Sequence, residues 1–443
     1  MESWMLEPVS RRIFMQILAA GTLSLAAGCA TNPVTGQSQL MLISEEKEIE
    51  IDRSQSPHQL SADYGRSQDE DLNAYLERTG KQMAARTHRP HMPYSFQAVN
   101  ATYINAYAFP GGTIAATRGI LLKLESEAEL AALLGHELGH VNARHTAEIM
   151  SKNILTSALV SGIAAYVGTR NSRYGGLAAR LGMLGSGVLL AHYSRDNERQ
   201  ADALGMEYMV RAGYSPKGMV ELMDMLKSMS RHRMSATQIL FATHPMSIER
   251  YRTAVKKASG LYSGAGNKPV YRERYMDNTA RLRSIRQAVE AMQKGEALMA
   301  RQKPAEADEW FARALKQAPR DYAGLVMTAK CKLVQKQLDA ADRYLDRARQ
   351  VYPAEAQACF LKGFVNLKKK KYRQALQNFS DYEFRLAGNP NVVFFKGLCH
   401  EGMGRRPAAA EAYHAYLQVV RQGRYAQYAY NRLVQWGYIK PKS

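Results

Sequence analysis

The sequence predicts an α+β chain: a mainly helical domain that carries a small β-sheet, followed by an all-α solenoid. Three observations predict it. Between residues 68 and 257, helical apolar spacing is interrupted by short strand signals around a Pro-Gly-Gly turn. From residue 284 onward the chain repeats itself with a period of 34 residues. With 443 residues, 46% of them hydrophobic, the chain can bury two or three separate cores.

The elements follow in order. Residues 1–28 are an address. Arg11 and Arg12 precede the apolar run IFMQILAAGTLSLAAG, which ends at Cys29. A basic start followed by a short apolar run is an export signal, and this one is shorter than the ~20 residues of a membrane span. LAAGC resembles a bacterial lipoprotein signal, which implies a lipid on Cys29. Ala30, in place of a retention aspartate, favours anchoring to the outer membrane, facing the periplasm. Plain cleavage before an unmodified cysteine is the alternative. Ser10 to Phe14 (SRRIF) also resembles a twin-arginine signal, so both export routes stay open.

Residues 29–67 read as a tether and a first helix from Ser44. In residues 68–257, Leu72, Tyr75, Leu76, Thr79 and Met83 mark a helix between Asp69 and Arg86. PYSFQAVN reads as a strand. INAYAFPGGTIAAT reads as strand, turn and strand, with the turn at Pro110-Gly111-Gly112. Ser126, with Glu129 three residues on, has the form of a capping box. The helix it starts is expected to run through His140 to about Met150. Asn153–Val167 and Leu177–Leu190 are apolar, rich in Gly and Ala, and short for membrane spans. They predict two helices packed on the core or over a cleft, with a membrane-touching hairpin as the other reading. A helix over Arg195–Arg211 is broken by Gly213-Tyr214-Ser215-Pro216, and another runs to about Met229. Residues 258–283, with a Gly-, Ser- and Pro-containing stretch from Gly260 to Val270, read as a linker.

The chemistry centres on HELGH, His136 to His140. Positions i and i+4 of a helix share a face, so both imidazoles can reach one metal ion. Glu137 projects close enough to reach a water on that ion. Such a set has a mechanism: zinc acidifies water and polarises a peptide carbonyl, and the glutamate relays the proton. HExxH arises by chance about once in seventy chains of this composition, so it needs support. SRDNERQADALG supplies it. Glu198 offers a third ligand, and Asp202, one turn on, can accept a hydrogen bond from a ligand imidazole. Gly135 and Gly139 each cost roughly 1 kcal/mol of helix stability relative to Ala, which fits close approach of a backbone or substrate. The YAFPGG strand just upstream could pair with an extended peptide.

NAYAFPGGTIAATRGIL, HELGHVNARH, SRDNERQAD and THPMSIER, in that order, resemble the BepA/LoiP-like zinc metallopeptidases of the bacterial periplasm, relatives of the HtpX and CAAX-prenyl-protease group. The resemblance covers about Leu40 to Lys257. It implies a gluzincin-type metalloendopeptidase with one Zn2+ per chain. It also implies His136, His140 and Glu198 as ligands, Glu137 as catalytic base and Asp202 as a supporting acid. The HPMSIER block lands on His244, a fourth ligand that can hold the enzyme latent, and on Arg250 near the site. The chain combines a lipid anchor, as in LoiP-like members, with repeats, as in BepA.

Residues 284–443 carry the repeats. Gly295, Ala329, Gly363 and Gly397 are 34 apart, as are Ala307, Ala341, Ala375 and Ala409, and Phe311, Leu345, Phe379 and Tyr413. Pro319 and Pro353 keep the same period. This is the tetratricopeptide pattern: small residues are expected where paired helices touch, large ones where pairs stack. Four repeats run from about Ser284 to Val420, and Tyr425–Trp436 is expected to cap them. Such a stack offers an open face to a peptide or partner protein. Cys331, Cys359 and Cys399, inside the repeats, read as small buried hydrophobes.

The net charge is +20, which favours anionic partners. Without a zinc finger, a Gly-rich phosphate loop or a basic-aromatic stripe, nucleic acid is not expected. Lys368–Lys371 read as a solvated face. The leading expectation is an envelope zinc endopeptidase acting on misfolded or stalled envelope and outer-membrane proteins. Its repeats would recruit substrate or the outer-membrane assembly machinery. The alternative is a chaperone-like assembly factor acting through the repeats, with a latent zinc site.

Overall fold

The computed structural model describes residues 29–153, 193–232 and 235–440. The export signal, and the two apolar segments beyond Asn153, fall outside them. No helix among the described residues is long and apolar enough to cross a membrane.

Strands β1 (Cys29–Thr31) and β2 (Ser38–Leu40) form an antiparallel pair. Ser44 caps α1 (Glu45–Ala62), its hydroxyl accepting from the Lys47 amide. Asp69 does the same for α2 (Glu70–Ala84), whose Leu72, Tyr75, Leu76 and Met83 are buried. A three-stranded sheet has the order β3 (Ser95–Val99), β5 (Thr113–Thr117), β4 (Ala106–Ala108). β3 is parallel to β5, and β4 is antiparallel to it, with Ala106 opposite Ala116. The Pro110–Gly112 turn closes the β4–β5 hairpin, and β4 lies on an edge against the metal-motif helix. A short α3 (Arg118–Leu121) follows.

The motif helix, α4 (Glu127–Asn142), is buried along its whole length. Two details of its prediction change. The Ser126 hydroxyl accepts from the Glu129 amide, but the Glu129 carboxylate turns to the Glu125 amide at 2.7 Å. No reciprocal capping box forms. The helix also stops at Asn142, short of Met150: Arg144 adopts a left-handed φ of 60°, and a new helical stretch starts at His145. Arg144 is held there by two hydrogen bonds to Glu48 at 3.2 Å and one to the Ile43 carbonyl at 2.7 Å.

Helix α5 (Arg195–Arg211) packs on α4, and α6 (Lys217–His232), α7 (Gln238–Thr243) and α8 (Ile248–Ser259) complete this part. The expected linker is docked. The Val270 carbonyl accepts from the Ala128 amide at 3.1 Å, and Lys268 reaches the Val210 carbonyl at 2.8 Å. Then α9 (Arg272–Asn278) buries Tyr275, whose hydroxyl donates to the Leu121 carbonyl at 2.7 Å. Its Arg274 joins Tyr75 and Tyr214 on the buried Glu127 carboxylate. Turn residues there supply backbone partners to the core helices, which composition does not reveal. A short α10 (Ala280–Ser284) leads into the solenoid.

The solenoid is a run of antiparallel pairs: α11 (Arg286–Ala300) with α12 (Pro304–Gln317), α13 (Tyr322–Val334) with α14 (Leu338–Val351), α15 (Gln357–Lys368) with α16 (Tyr372–Arg385), and α17 (Pro390–Gly402) with α18 (Arg406–Val419). Helix α19 (Arg424–Gln435) covers the last pair. The small and large repeat positions meet each other inside a pair. A Cβ on Gly363 would lie 2.7 Å from the Phe379 ring, and one on Gly397 would lie 2.6 Å from the Tyr413 ring. The three repeat cysteines are buried and unpaired.

The open face expected of the repeats is partly covered by the chain itself. Ser61 and Tyr322 donate hydrogen bonds to Glu355, Gln357 reaches the Ser61 carbonyl at 3.1 Å, and Arg118 pairs with Asp321. Gln293 donates to the Thr102 carbonyl, and Thr102 donates to Glu296.

Candidate metal centre

Two helices build the site because small residues let their backbones touch. A Cβ on Gly139 would sit 2.8 Å from the Ala201 carbonyl oxygen, and one on Gly205 would sit 2.8 Å from the His136 nitrogen. Only glycine allows this approach of α4 to α5. It carries Glu198, on the first turn of α5, to the His136–His140 face. A third segment completes the set: His244 ends α7 with its amide on the Leu240 carbonyl at 2.7 Å, just before Pro245.

His136, His140, Glu198 and His244 each offer one donor atom, all within 4.8 Å of one another, and all four residues are buried. His136 Nε2 lies 3.1 Å from His140 Nε2 and 3.3 Å from His244 Nδ1. Glu198 Oε1 lies 3.3 Å from His140 Nε2 and 3.0 Å from His244 Nδ1. A tetrahedral ion with bonds of about 2.0–2.1 Å has edges of about 3.3 Å. The donor set therefore fits a single small cation. Three imidazoles and a carboxylate suit a borderline transition ion over calcium or magnesium, which prefer oxygen cages.

The groups behind these donors are polar and specific. His136 Nδ1 is 2.9 Å from Asp202 Oδ1. Arg250 holds Asp202 through two bonds of 2.7 and 2.8 Å, and it reaches Glu198 Oε2 at 2.7 Å. Glu137 is buried beside the donors, its Oε1 4.0 Å from His244 Nε2. Thus every residue named from sequence (His136, Glu137, His140, Glu198, Asp202, His244 and Arg250) stands in one cluster. Cys29 stands apart, in β1.

Electrostatics follow the burial. Burial pushes the Glu137 carboxyl up from its ordinary value, against the pull of the His244 and His136 imidazoles. It also pushes Glu198 up, but His244, His136 and His140 outweigh it and hold this carboxyl well below the ordinary range. Asp202 is likewise held low by Arg250 against its burial. Burial drives His140 well below the usual imidazole value, so it stays neutral, as a ligand must be.

Two residues escaped the sequence reading. Tyr193 stacks on the His140 ring, centroids 3.7 Å apart, and no spacing rule points to it. His145 Nδ1 lies 2.9 Å from His140 Nδ1. Five residues past His140, it would leave the ligand face of a continuous helix. The turn at Ala143–Arg144 brings it back.

Comparison with known proteins bears on the same residues. Residues 70–258 match peptidase family M48. A beta-barrel assembly-enhancing protease of Yersinia pestis is 29% identical over 193 residues, 43% of this chain and 40% of the relative. A putative beta-barrel assembly-enhancing protease of Vibrio cholerae is 31% identical over 192 residues, 42% of this chain and 39% of the relative. The metalloprotease YcaL of Escherichia coli is 30% identical over 158 residues, 36% of this chain and 59% of the relative. The matches to the two assembly-enhancing proteases thus span about two fifths of those relatives' length.

Proposed function

We propose that the protein, whose residues 70–258 match peptidase family M48, is a zinc-dependent endopeptidase of the bacterial envelope. It degrades or processes misfolded or stalled envelope and outer-membrane proteins. The observation that carries this reading is the buried set of His136, His140 and Glu198 with Glu137 beside it. Those three residues hold the zinc. When bound, zinc supplies Lewis acidity to a water and to the scissile carbonyl.

The chain's own groups do the rest. Glu137 accepts the proton of the attacking water and delivers it to the leaving amine. Its buried carboxyl is raised above the ordinary value, which suits a group that must take and return a proton. Asp202, its Oδ1 2.9 Å from His136 Nδ1, favours the tautomer that presents Nε2 to the metal, and Arg250 fixes both carboxylates. The edge strand β4 beside α4 holds an extended substrate by backbone pairing. The lipid on Cys29 anchors the protein to the outer membrane from the periplasmic side. The repeats bring substrate or the assembly machinery to the site.

His244 favours a second reading. As a fourth donor it takes the place that the water needs, so the resting site is latent and the protein acts as an assembly factor through its repeats. One experiment separates the readings: zinc content and casein hydrolysis of the mature protein, Glu137→Gln and His244→Ala. One zinc per chain, with cleavage lost in Glu137→Gln and raised in His244→Ala, supports a latent protease. Zinc without cleavage in any variant supports the assembly factor, and a chain without zinc sinks both.

A further inference from the structure

We propose that His145 is a positioning residue that fixes the tautomer and ring plane of His140 for metal binding. The inference rests on the reading of His136, His140 and Glu198 as zinc ligands. A neutral imidazole has one N–H and one lone pair. His140 turns Nε2 toward Glu198 and His136, so its proton must sit on Nδ1. A buried N–H needs an acceptor. At 2.9 Å from His140 Nδ1 stands His145 Nδ1. If that atom accepts, the His145 proton is on Nε2, and there the Gln200 Oε1 acceptor lies 3.0 Å away. One proton placement satisfies all three groups. Gln200 sits on α5 two residues after Glu198, so the helix that delivers the carboxylate also anchors this relay.

Both histidines are 1% exposed, so neither ring nitrogen facing the other has water to turn to. Stacked Tyr193 holds the His140 plane from its face. The two motif histidines are therefore supported differently: His136 by a carboxylate clamped by Arg250, His140 by a neutral imidazole. The left-handed Arg144 is what makes the second support geometrically available.

The test is zinc affinity of the full mature chain, by competition with a chromophoric chelator, for the natural protein, His145→Leu and His145→Asn. Asn places Oδ1 where Nδ1 stood, so it keeps the acceptor and loses the ring. We expect His145→Leu to bind zinc about 10- to 100-fold more weakly and His145→Asn to stay within about threefold of the natural protein. Unfolding midpoints of the zinc-free forms are read alongside. A merely structural histidine would lower the midpoint of both variants and leave their affinities alike. Natural affinity in His145→Leu, or equal losses in both variants, overturns the proposal while leaving the zinc reading intact. A natural protein without zinc, unchanged by His136→Ala, overturns the reading beneath it.

Discussion

Arg250 touches two buried carboxylates at once, Glu198 at 2.7 Å and Asp202 at 2.7 and 2.8 Å. Remove the guanidinium and both carboxylates stay buried with only the neighbouring imidazoles to offset them. Breaking a buried pair in this way costs about 3–5 kcal/mol. Arg250→Met should therefore lower the urea midpoint of the zinc-free protein by that equivalent, and a loss under about 1 kcal/mol would deny the clamp. Glu137 behaves differently, because it bonds to none of the donors. Glu137→Gln should keep the zinc and the stability yet lose about 100- to 10,000-fold in casein hydrolysis. Retained hydrolysis would remove it from the mechanism. At this scale the sequence was informative where spacing encodes geometry. His136, Glu137, His140, Glu198 and Asp202 follow from i and i+4 rules on two helices. His244 and Arg250 came only through resemblance, since they lie on a different segment that no periodicity links to the motif. His145 was hidden for the opposite reason: the periodic pattern ran on smoothly through the break, and an arginine at positive φ leaves no mark in composition.

Among elements, the repeat pairs show how a period becomes a contact. The 34-residue spacing of small and large residues was visible in the chain, but it could not say that the two sets touch each other. In the fold, glycine faces an aromatic ring in three of the four pairs, as at Gly363 and Phe379. The second pair has Ala329 and Leu345, both fully buried. A methyl gained on one helix accompanies a ring replaced by a smaller side chain on the other. This makes a prediction with a sign. Gly363→Ala alone overpacks the site and should cost about 1–3 kcal/mol by chemical denaturation. Phe379→Leu alone leaves a cavity and should cost a similar amount. Together they rebuild the Ala329–Leu345 arrangement and should cost less than their sum by about 1 kcal/mol or more. Strict additivity would mean that the pair does not pack as described.

Across the whole molecule, the first domain and the solenoid meet through a polar, largely buried contact, with Ser61 on Glu355 and Thr102 on Glu296. A solenoid read from sequence has a free face. Only the three-dimensional path of residues 58–66 and 100–103 reveals that part of this face is already taken. The contact also carries a pH dependence whose direction can be worked out. Burial raises the Glu355 and Glu296 carboxyls above the ordinary value of 4.5. On separation they return to it, so above 4.5 the docked state binds more protons and docking weakens as pH rises. Lys330, facing Tyr64 and close to Glu296, is pushed down by burial to about 8. Its contribution changes only between about 8 and the ordinary 10.5, where docking strengthens with pH as the amine sheds its charge. Between 4.5 and about 8 the carboxyls set one slope, and His58, which burial beside the Ala387 backbone holds below its ordinary 6.5, opposes it. With His58→Gln in place to remove the opposing titration, hydrogen exchange of residues 58–66, corrected for intrinsic rates, should therefore show stronger protection near pH 5.5 than near pH 7.5. Adding Glu355→Gln and Glu296→Gln should flatten the difference, because neutral amides do not titrate. Protection that grows with pH in the His58→Gln protein would mean that these carboxyls stay charged in the contact, and the repeat face would then be opened by acid instead of closed by it.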